Sequence, residues 1–164
     1  MKSRKTMATA IASTIVIIAA LTVSRSQSTK DSPPPDPQIA VLDRLTEIQK
    51  AAQALDADKV FSFVLDNDSG SLAQNGKLFL TRNDALESTR QAFQGLQNIS
   101  YRFDQQHVML LSPTVALAVG EGSSSATTED GRVFTNRFAQ SVVLVLTNSE
   151  WKVIHAHRSF LPAK

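Results

Sequence analysis

The stretch Val133–Phe160, VFTNRFAQSVVLVLTNSEWKVIHAHRSF, decides the fold of this 164-residue chain. Apolar residues recur at every second position along both halves of the stretch, which is the period of a β-strand. Asn148-Ser149 separates the two halves and supplies a turn. The pattern predicts two long antiparallel strands, Val133–Leu146 and Trp151–Phe160, which pair as neighbours and are joined near Asn148.

The first of these strands is apolar on both faces over residues 142–146. A strand of this kind is covered on both sides in a folded protein. We therefore expect helices on one face of the sheet and either a partner or a closed barrel on the other. Two further period-two stretches, Ile99–Leu111 and Val115–Ala126, extend the prediction to an antiparallel meander of four long strands.

Three helices are predicted upstream, where apolar residues recur at three- and four-residue steps. Asp36-Pro37 opens the first helix, Asp56 caps a second that carries residues 60–65, and Thr81 begins the third. Between the last two, Asn75-Gly76 is the residue pair of a two-residue hairpin. Helices followed by antiparallel strands indicate an α+β fold in which the helices cover one face of a curved sheet.

Composition excludes several kinds of site. The chain contains no cysteine, so it has no disulfide, no thiolate metal site and no cysteine nucleophile. Five of its 17 basic residues lie in positions 1–30, which hold no acidic residue. The remainder has 12 basic and 15 acidic residues and a net charge of −3, which gives no support to nucleic-acid binding.

The N-terminal region has the layout of an export signal. Basic residues precede the uncharged run Met7–Val23, and Ser24-Arg25-Ser26 has small residues at signal-peptidase spacing. We predict a signal peptide over residues 1–26 and a secreted or periplasmic protein. The alternative is an uncleaved membrane anchor over residues 7–23, with the domain outside the cytoplasm.

A proline-rich linker over residues 27–38 follows the predicted signal peptide. Its three consecutive prolines favour an extended spacer over a folded element. The periodic apolar pattern begins near Ile39 and ends near Leu161. One folded domain is therefore predicted over residues 39–161.

The closing stretch Trp151–Ser159, WKVIHAHRS, resembles the last strand of SnoaL-like domains in the nuclear-transport-factor-2-like superfamily. It is also similar to the end of the calcium/calmodulin-dependent kinase II association domain. The predicted order of elements matches that superfamily from Ile39 to Leu161. The resemblance implies a cone-shaped half-barrel with a sheet of four to six strands, a pocket at its wide end and dimers through the sheet. Because the superfamily includes isomerases, dehydratases, cyclases and binding modules, the fold alone does not determine function.

Strand parity selects the candidate ligand-binding residues. Arg158 has the parity of an apolar face, and Asn136 and Gln140 have the matching parity on the preceding strand. An arginine on an apolar concave face needs a partner, and a ligand anion is one candidate. Tyr101, the only tyrosine, joins this set from the first long strand.

His155 and His157 form an alternative set on the opposite parity. Two residues apart on a strand, they share a face, and a regular strand puts Trp151 and Val153 on that face too. One bulge exchanges the two faces of a strand. If the last strand is regular, we therefore expect Arg158, Asn136 and Gln140 in the pocket. If it is bulged, we expect the two histidines there.

Metal and acid–base chemistry are the remaining possibilities. Zinc needs three or four ligands, and only His107, Asp104 or Glu121 could join the histidine pair, so no metal and no cofactor are predicted. Asp104 lies three residues after Tyr101 and therefore on the opposite face, unless a bulge intervenes. The pair does not reproduce the constellation of ketosteroid isomerases, and no catalytic residue is assigned.

These observations favour an exported, homodimeric module that binds an unidentified small molecule. One alternative is a small lyase or isomerase with Glu121 or His157 as its base. Another is a non-catalytic assembly domain. A membrane partner is expected only if the N-terminal segment stays uncleaved.

Overall fold

A computed structural model of the chain describes residues 36–68 and 70–161. Within these ranges the elements are α1 (Pro37–Gln53), α2 (Ala57–Ser62), β1 (Leu72–Gln74), β2 (Lys77–Phe79), α3 (Arg82–Phe93), β3 (Leu96–Ser112), β4 (Val115–Thr128), β5 (Val133–Thr147) and β6 (Glu150–Phe160). None of these three helices is long and apolar enough to span a bilayer. The predicted signal peptide, its alternative as an anchor, and residues 27–35 of the linker lie outside the described residues.

The six strands form one open sheet in the order β2-β1-β6-β5-β4-β3. All neighbours are antiparallel except β1 and β6, which run parallel. The helices pack on one face of this curved sheet, so the predicted α+β half-barrel is confirmed. The predicted pairing of the last two strands is confirmed as well, since β5 and β6 are antiparallel neighbours joined by Asn148 and Ser149.

Side-chain caps start the helices where the sequence predicts. Asp36, Asp56 and Thr81 accept hydrogen bonds from backbone N–H groups two or three residues later, at 2.8–3.0 Å. These bonds satisfy backbone donors that have no partner inside the helix. The hairpin is also confirmed: Asn75 and Gly76 have φ angles of 53° and 73°, as a tight turn between twisted strands requires.

The second helix is shorter than predicted, because the chain leaves it to pair with the sheet. It ends at Ser62, and Val64 forms an isolated parallel bridge with Val153. The N–H of Val153 donates to the carbonyl of Phe63 at 2.9 Å, and the N–H of Leu65 donates to the carbonyl of Val153 at 2.7 Å. This pairing with a distant strand replaces another turn of helix.

The core lies between α1 and the middle of the sheet. Val41 and Leu45 project from α1, and both are buried. They pack against small and branched residues of three strands: Ala116, Ala118, Val142, Leu144, Trp151 and Val153. The small side chains of β4 let the helix approach the sheet closely, which maximises the apolar area removed from water.

Two strands carry an extra residue that changes which side chains face the helices. In β6 the pairing with β5 shifts by one between Val153 and His155, so Ile154 is the extra residue. In β3 the pairing with β4 shifts near each end of the strand and, in its middle, at Asp104. Because successive side chains alternate between faces, each bulge reverses the parity of the residues that follow it, up to the next irregularity.

The bulge in β3 leaves no room for a side chain on the facing glycine of β4. A Cβ atom at Gly122 would lie 2.1 Å from the carbonyl oxygen of Arg102. We predict that Gly122→Ala lowers the free energy of unfolding by about 2–3 kcal/mol, the usual cost of overpacking. Chemical denaturation would measure this loss. Ser123→Ala, on the other face of β4, is the control and should change stability by no more than about 0.5 kcal/mol. Equal effects of the two substitutions would contradict the tight contact.

Candidate functional site

A cavity of about 520 Å³ lies between the helices and the concave face of the sheet. The helices contribute mainly apolar side chains to its wall, including Ile48, Phe61 and Phe93. The sheet contributes side chains in transverse rows, because residues paired across neighbouring strands point to the same face. Two of these rows, one polar and one aromatic, supply most of the functional groups that the sheet contributes to the cavity.

The first row is polar and crosses the whole sheet. Its members, which all line the cavity, are Lys77 on β2, Gln74 on β1, Arg158 on β6, Gln140 on β5 and Gln106 on β3. Gly120 of β4 lies between the last two, paired with both. We call this set the polar row.

The second row is aromatic and lies beside the first. Phe160, Phe138 and Phe103 follow one another across β6, β5 and β3, with Gly122 of β4 between the last two. The rings of Phe138 and Phe103 meet edge to face, with centroids 5.3 Å apart. This contact crosses β4 above Gly122, whose lack of a side chain leaves the space. Tyr101 adds a second edge contact to Phe138 at 6.2 Å.

Arg158 joins the two rows. Its Nε and Nη2 both donate to Oε1 of Gln140, at 3.2 and 2.7 Å. Its guanidinium carbon lies 5.1 Å from the ring centroid of Phe138 and 5.3 Å from that of Tyr101. These ring faces stabilise the cation, and the amide oxygen orients it. The guanidinium is therefore held in one place within the cavity.

Of the seven arginines in the described residues, Arg158 alone has no ion pair with a described carboxylate. The other six each have a carboxylate oxygen within ion-pair distance: Arg44, Arg82, Arg90, Arg102, Arg132 and Arg137. The partner of Arg158 is a neutral amide. A charge in a partly buried, mainly apolar cavity is therefore left without a counter-charge among the residues that the structure describes.

Tyr101 is positioned from the helix side. It lies on β3, the edge strand, where backbone groups that face away from β4 lack a strand partner. Gln49 of α1 donates from Nε2 to the carbonyl of Tyr101 at 3.0 Å, and the N–H of Tyr101 donates to Oε1 of Gln53 at 3.3 Å. Two glutamines one helical turn apart thus replace a neighbouring strand.

A match to a known protein family agrees with this architecture. The model of the SnoaL-like domain family matches residues 41–164, which is more than half of the chain. The chain belongs to the SnoaL-like domain family. A search of curated protein sequences found no match.

Solved structures similar to this SnoaL-like domain have diverse names. One, from Streptomyces avermitilis, is provisionally named a dehydratase of the NTF2-like family; it has a TM-score of 0.67 and 17% identity, and the match covers 76% of this chain and 96% of that one. A ketosteroid isomerase-like protein from Erwinia carotovora atroseptica has a TM-score of 0.66 and 14% identity, with 79% and 99% covered. A protein from Xanthomonas campestris, provisionally named a calcium/calmodulin dependent protein kinase II association domain, has a TM-score of 0.67 and 16% identity, with 81% and 94% covered. At these identities the likeness establishes the NTF2-like fold, and three different names on one fold leave the activity open.

Five of the six predicted binding residues of this SnoaL-like domain border the cavity: Arg158, Asn136, Gln140, Tyr101 and His157. Asn136 pairs with Ser124, one row beyond the aromatic residues. Parity along the regular strand β5 places Asn136 and Gln140 as the structure has them. Arg158 faces the cavity on a bulged strand, for which the histidines were predicted instead. The binding of a ligand by these residues stays a prediction.

The expectation that a bulge would turn the histidines into the pocket is wrong. The strand is bulged, but the bulge at Ile154 comes before His155. Trp151 and Val153 therefore face the helices together with Arg158, and the rings of His155 and His157 point to the outer face of the sheet. His155 donates from Nδ1 to the carbonyl of Gly70 at 2.8 Å, since a carbonyl only accepts. His157 borders the cavity and is exposed.

Glu121 and Asp104, the carboxylates that could serve as a base or a metal ligand, lie outside the cavity. Glu121 is on the outer face, where its Oε1 accepts from Gln105 Nε2 at 3.0 Å. Asp104 is the bulge residue of β3 and forms ion pairs with Arg137 and Arg102. Among residues 36–68 and 70–161, no three histidine or acidic side chains are close enough to hold a metal ion.

Some cavity residues were not found from the sequence. Phe138 has the same parity as Asn136 and Gln140, so the pattern that selected those two also contained it. Gln74 and Lys77 reach the site through the parallel pairing of β1 with β6. That pairing joins positions more than 80 residues apart, and no local pattern predicts it.

The outer face of the sheet, opposite the helices, carries an apolar patch. Met109 and Leu111 are 60% and 57% exposed, and Val119 is 38% exposed. Leu117 and Val143 lie in the same row as Met109 and are half-buried. We call these five residues the outer patch. It is the second apolar face that the pattern of β5 predicts.

Proposed function

We propose that this chain is an exported small-molecule-binding module whose cavity holds an organic anion with an apolar body. The observation that carries the proposal is Arg158, a cation without a described carboxylate partner, held in position by Gln140 and two aromatic rings. A guanidinium has five N–H donors, and two are used on Gln140. The other three suit a carboxylate or a similar anion.

The rest of the cavity supports an apolar body for the ligand. Aromatic and aliphatic side chains from the helices and the sheet dominate its wall. A volume of about 520 Å³ is within the range of small-molecule sites. Burial of an apolar group in such a site stabilises the complex by roughly 25 cal/mol per Å² of apolar surface removed from water. Affinity would therefore come from the body of the ligand, and its orientation from Arg158.

Catalysis by a lyase or isomerase is the second candidate. His157 supports it, because among the described residues it is the only histidine that borders the cavity. A general base must reach the proton that it removes, and the ring of His157 points to the outer face. The geometry therefore favours binding. Turnover that depends on His157 would favour the enzyme.

We also propose that two copies of the chain associate through the outer patch. Large exposed apolar patches are rare on monomeric proteins, and the centres of protein interfaces are depleted in charge. The outer patch contains five apolar side chains and lies on the sheet face opposite the helices, which a second copy could meet face to face. Export through the N-terminal region belongs to the same proposal, on the evidence of the sequence pattern alone.

Removal of the positive charge should abolish selectivity for anions. We predict that the full chain binds decanoate roughly 10- to 100-fold more tightly than decanol, which lacks the charge, as measured by isothermal titration calorimetry. In Arg158→Met, which keeps an unbranched apolar side chain, decanoate should bind no better than decanol. Arg102→Met, on the outer face, is the control and should retain the preference. If His157→Ala abolishes binding and Arg158→Met leaves it unchanged, the assignment is wrong.

A charge within the outer patch should separate the two copies. We predict that the exported protein sediments as a dimer at micromolar concentration. Met109→Lys should weaken that dimer at least about tenfold, because it buries an unpaired charge in the interface. Leu78→Lys changes an equally exposed leucine on β2, outside the patch, and should have no effect. A monomeric wild-type protein would refute the proposed interface.

Export has a definite chemical signature. We predict that the protein recovered from outside the cytoplasm begins at Gln27, because cleavage follows Ser26. Intact mass spectrometry and N-terminal sequencing would measure this. Replacement of Ser24 and Ser26 by bulky residues should block the cleavage and leave the chain in the membrane fraction. An unprocessed wild-type chain in that fraction would support the anchor instead.

A further inference from the structure

We propose that the ligand carries two anionic groups, which Arg158 and Lys77 hold at two positions of the polar row. This inference rests on the proposed function, because it requires the first anion to bind at Arg158. It adds a specificity determinant, Lys77, and narrows the ligand to a dicarboxylate or a compound of similar charge spacing.

The two cations are brought together by the sheet register. Gln74 pairs with Arg158 across the parallel strands β1 and β6, and it pairs with Lys77 across the β1–β2 hairpin. The three side chains therefore occupy one row on three consecutive strands, and all three border the cavity. Since neighbouring strands are about 4.8 Å apart, the backbones of Arg158 and Lys77 are separated by about 10 Å.

The hairpin gives Lys77 a fixed position at this edge of the cavity. Asn75 and Gly76 both have positive φ angles, which define a tight two-residue turn, and Gln74 and Lys77 are the pair that closes it. A lysine in a flexible loop would lose more conformational freedom when it bound an anion. Here the backbone is ordered before binding, and only the side chain has to be fixed.

The charges of the cavity-lining side chains also favour a ligand with two anionic groups. Like Arg158, Lys77 forms no ion pair with any carboxylate among residues 36–68 and 70–161. No aspartate or glutamate of that part of the chain lines the cavity. The cavity therefore has two positive charges on one row, and two anions on one ligand would complement both. Gln74, between them, offers an amide to polar groups in the middle of the ligand.

A series of straight-chain acids tests the inference. The full chain would be titrated with dicarboxylates from succinate to dodecanedioate, each beside the monocarboxylate of the same length. We expect the preference for the diacid to peak at one chain length, set by the distance between the guanidinium of Arg158, which leans over β5 towards Gln140, and the reach of the Lys77 ammonium group. Because Lys77 is exposed, the preference at that length should be about three- to tenfold at low salt and should decline as salt is added.

Variants at Lys77 decide which residue recognises the second carboxylate. Lys77→Met and Lys77→Gln should each remove the preference for the diacid, because they lower its affinity more than that of the monoacid. Lys50→Met removes an exposed lysine of α1 and should retain the preference. Thermal denaturation of each variant would verify that it is folded.

The outcomes separate this inference from the proposed function. If monoacids bind through Arg158 and diacids bind no better, or if the diacid preference survives both Lys77 variants, the second anion site is refuted and the proposed function stands. If no acid binds, or if Arg158→Met does not weaken binding, the proposed function fails and the inference fails with it. A diacid preference that disappears in both Lys77 variants and persists in Lys50→Met supports the inference.

Discussion

One extra residue, Ile154, determines which side of β6 faces the cavity. Trp151 and Val153 before it are buried against the helices, and without the bulge the histidines would follow them into the cavity. The loop before β1 holds the bulge on the strand's other edge: Asn67 Nδ2 donates to the carbonyl of Ile154 at 3.1 Å, and the N–H of Ala156 donates to the carbonyl of Ser71 at 3.1 Å. These contacts keep the strand in one register. The placement of Arg158 in the cavity depends on that register.

The bulge in β3 has a similar effect on the opposite side of the cavity. Before Asp104, odd-numbered residues such as Tyr101 and Phe103 face the helices, and after it even-numbered residues such as Gln106 do. The bulged backbone passes so close to Gly122 that this position of β4 has no space for a Cβ atom. The same absence of a side chain allows the aromatic contact across β4. The glycine at position 122 therefore permits both the bulge in β3 and the contact of Phe103 with Phe138, against which Arg158 packs.

Local pattern predicted the elements well, and it predicted the faces only where strands are regular. β5 pairs with β4 without a register shift, so parity placed Asn136 and Gln140 correctly on the cavity side. β6 is irregular because distant segments, residues 63–65 and β1, pair with the edge of the strand that faces away from β5. Long-range hydrogen bonds of this kind leave no periodic signal in either segment. The wrong histidine prediction and the missed residue Lys77 have the same origin, since both depend on how β6 is paired.

The polar row is the part of the fold that packing does not explain. A sheet face that lies under helices is stabilised by apolar side chains, as the row of Ala156, Val142 and Ala118 beside it illustrates. Charged and amide side chains on such a face lose hydration, and a mostly apolar row would stabilise the domain more. Natural sequences depart from the pattern of their own fold mainly at functional sites. The stability of the fold does not account for an arginine held by a neutral amide on this face, and the proposed anion would.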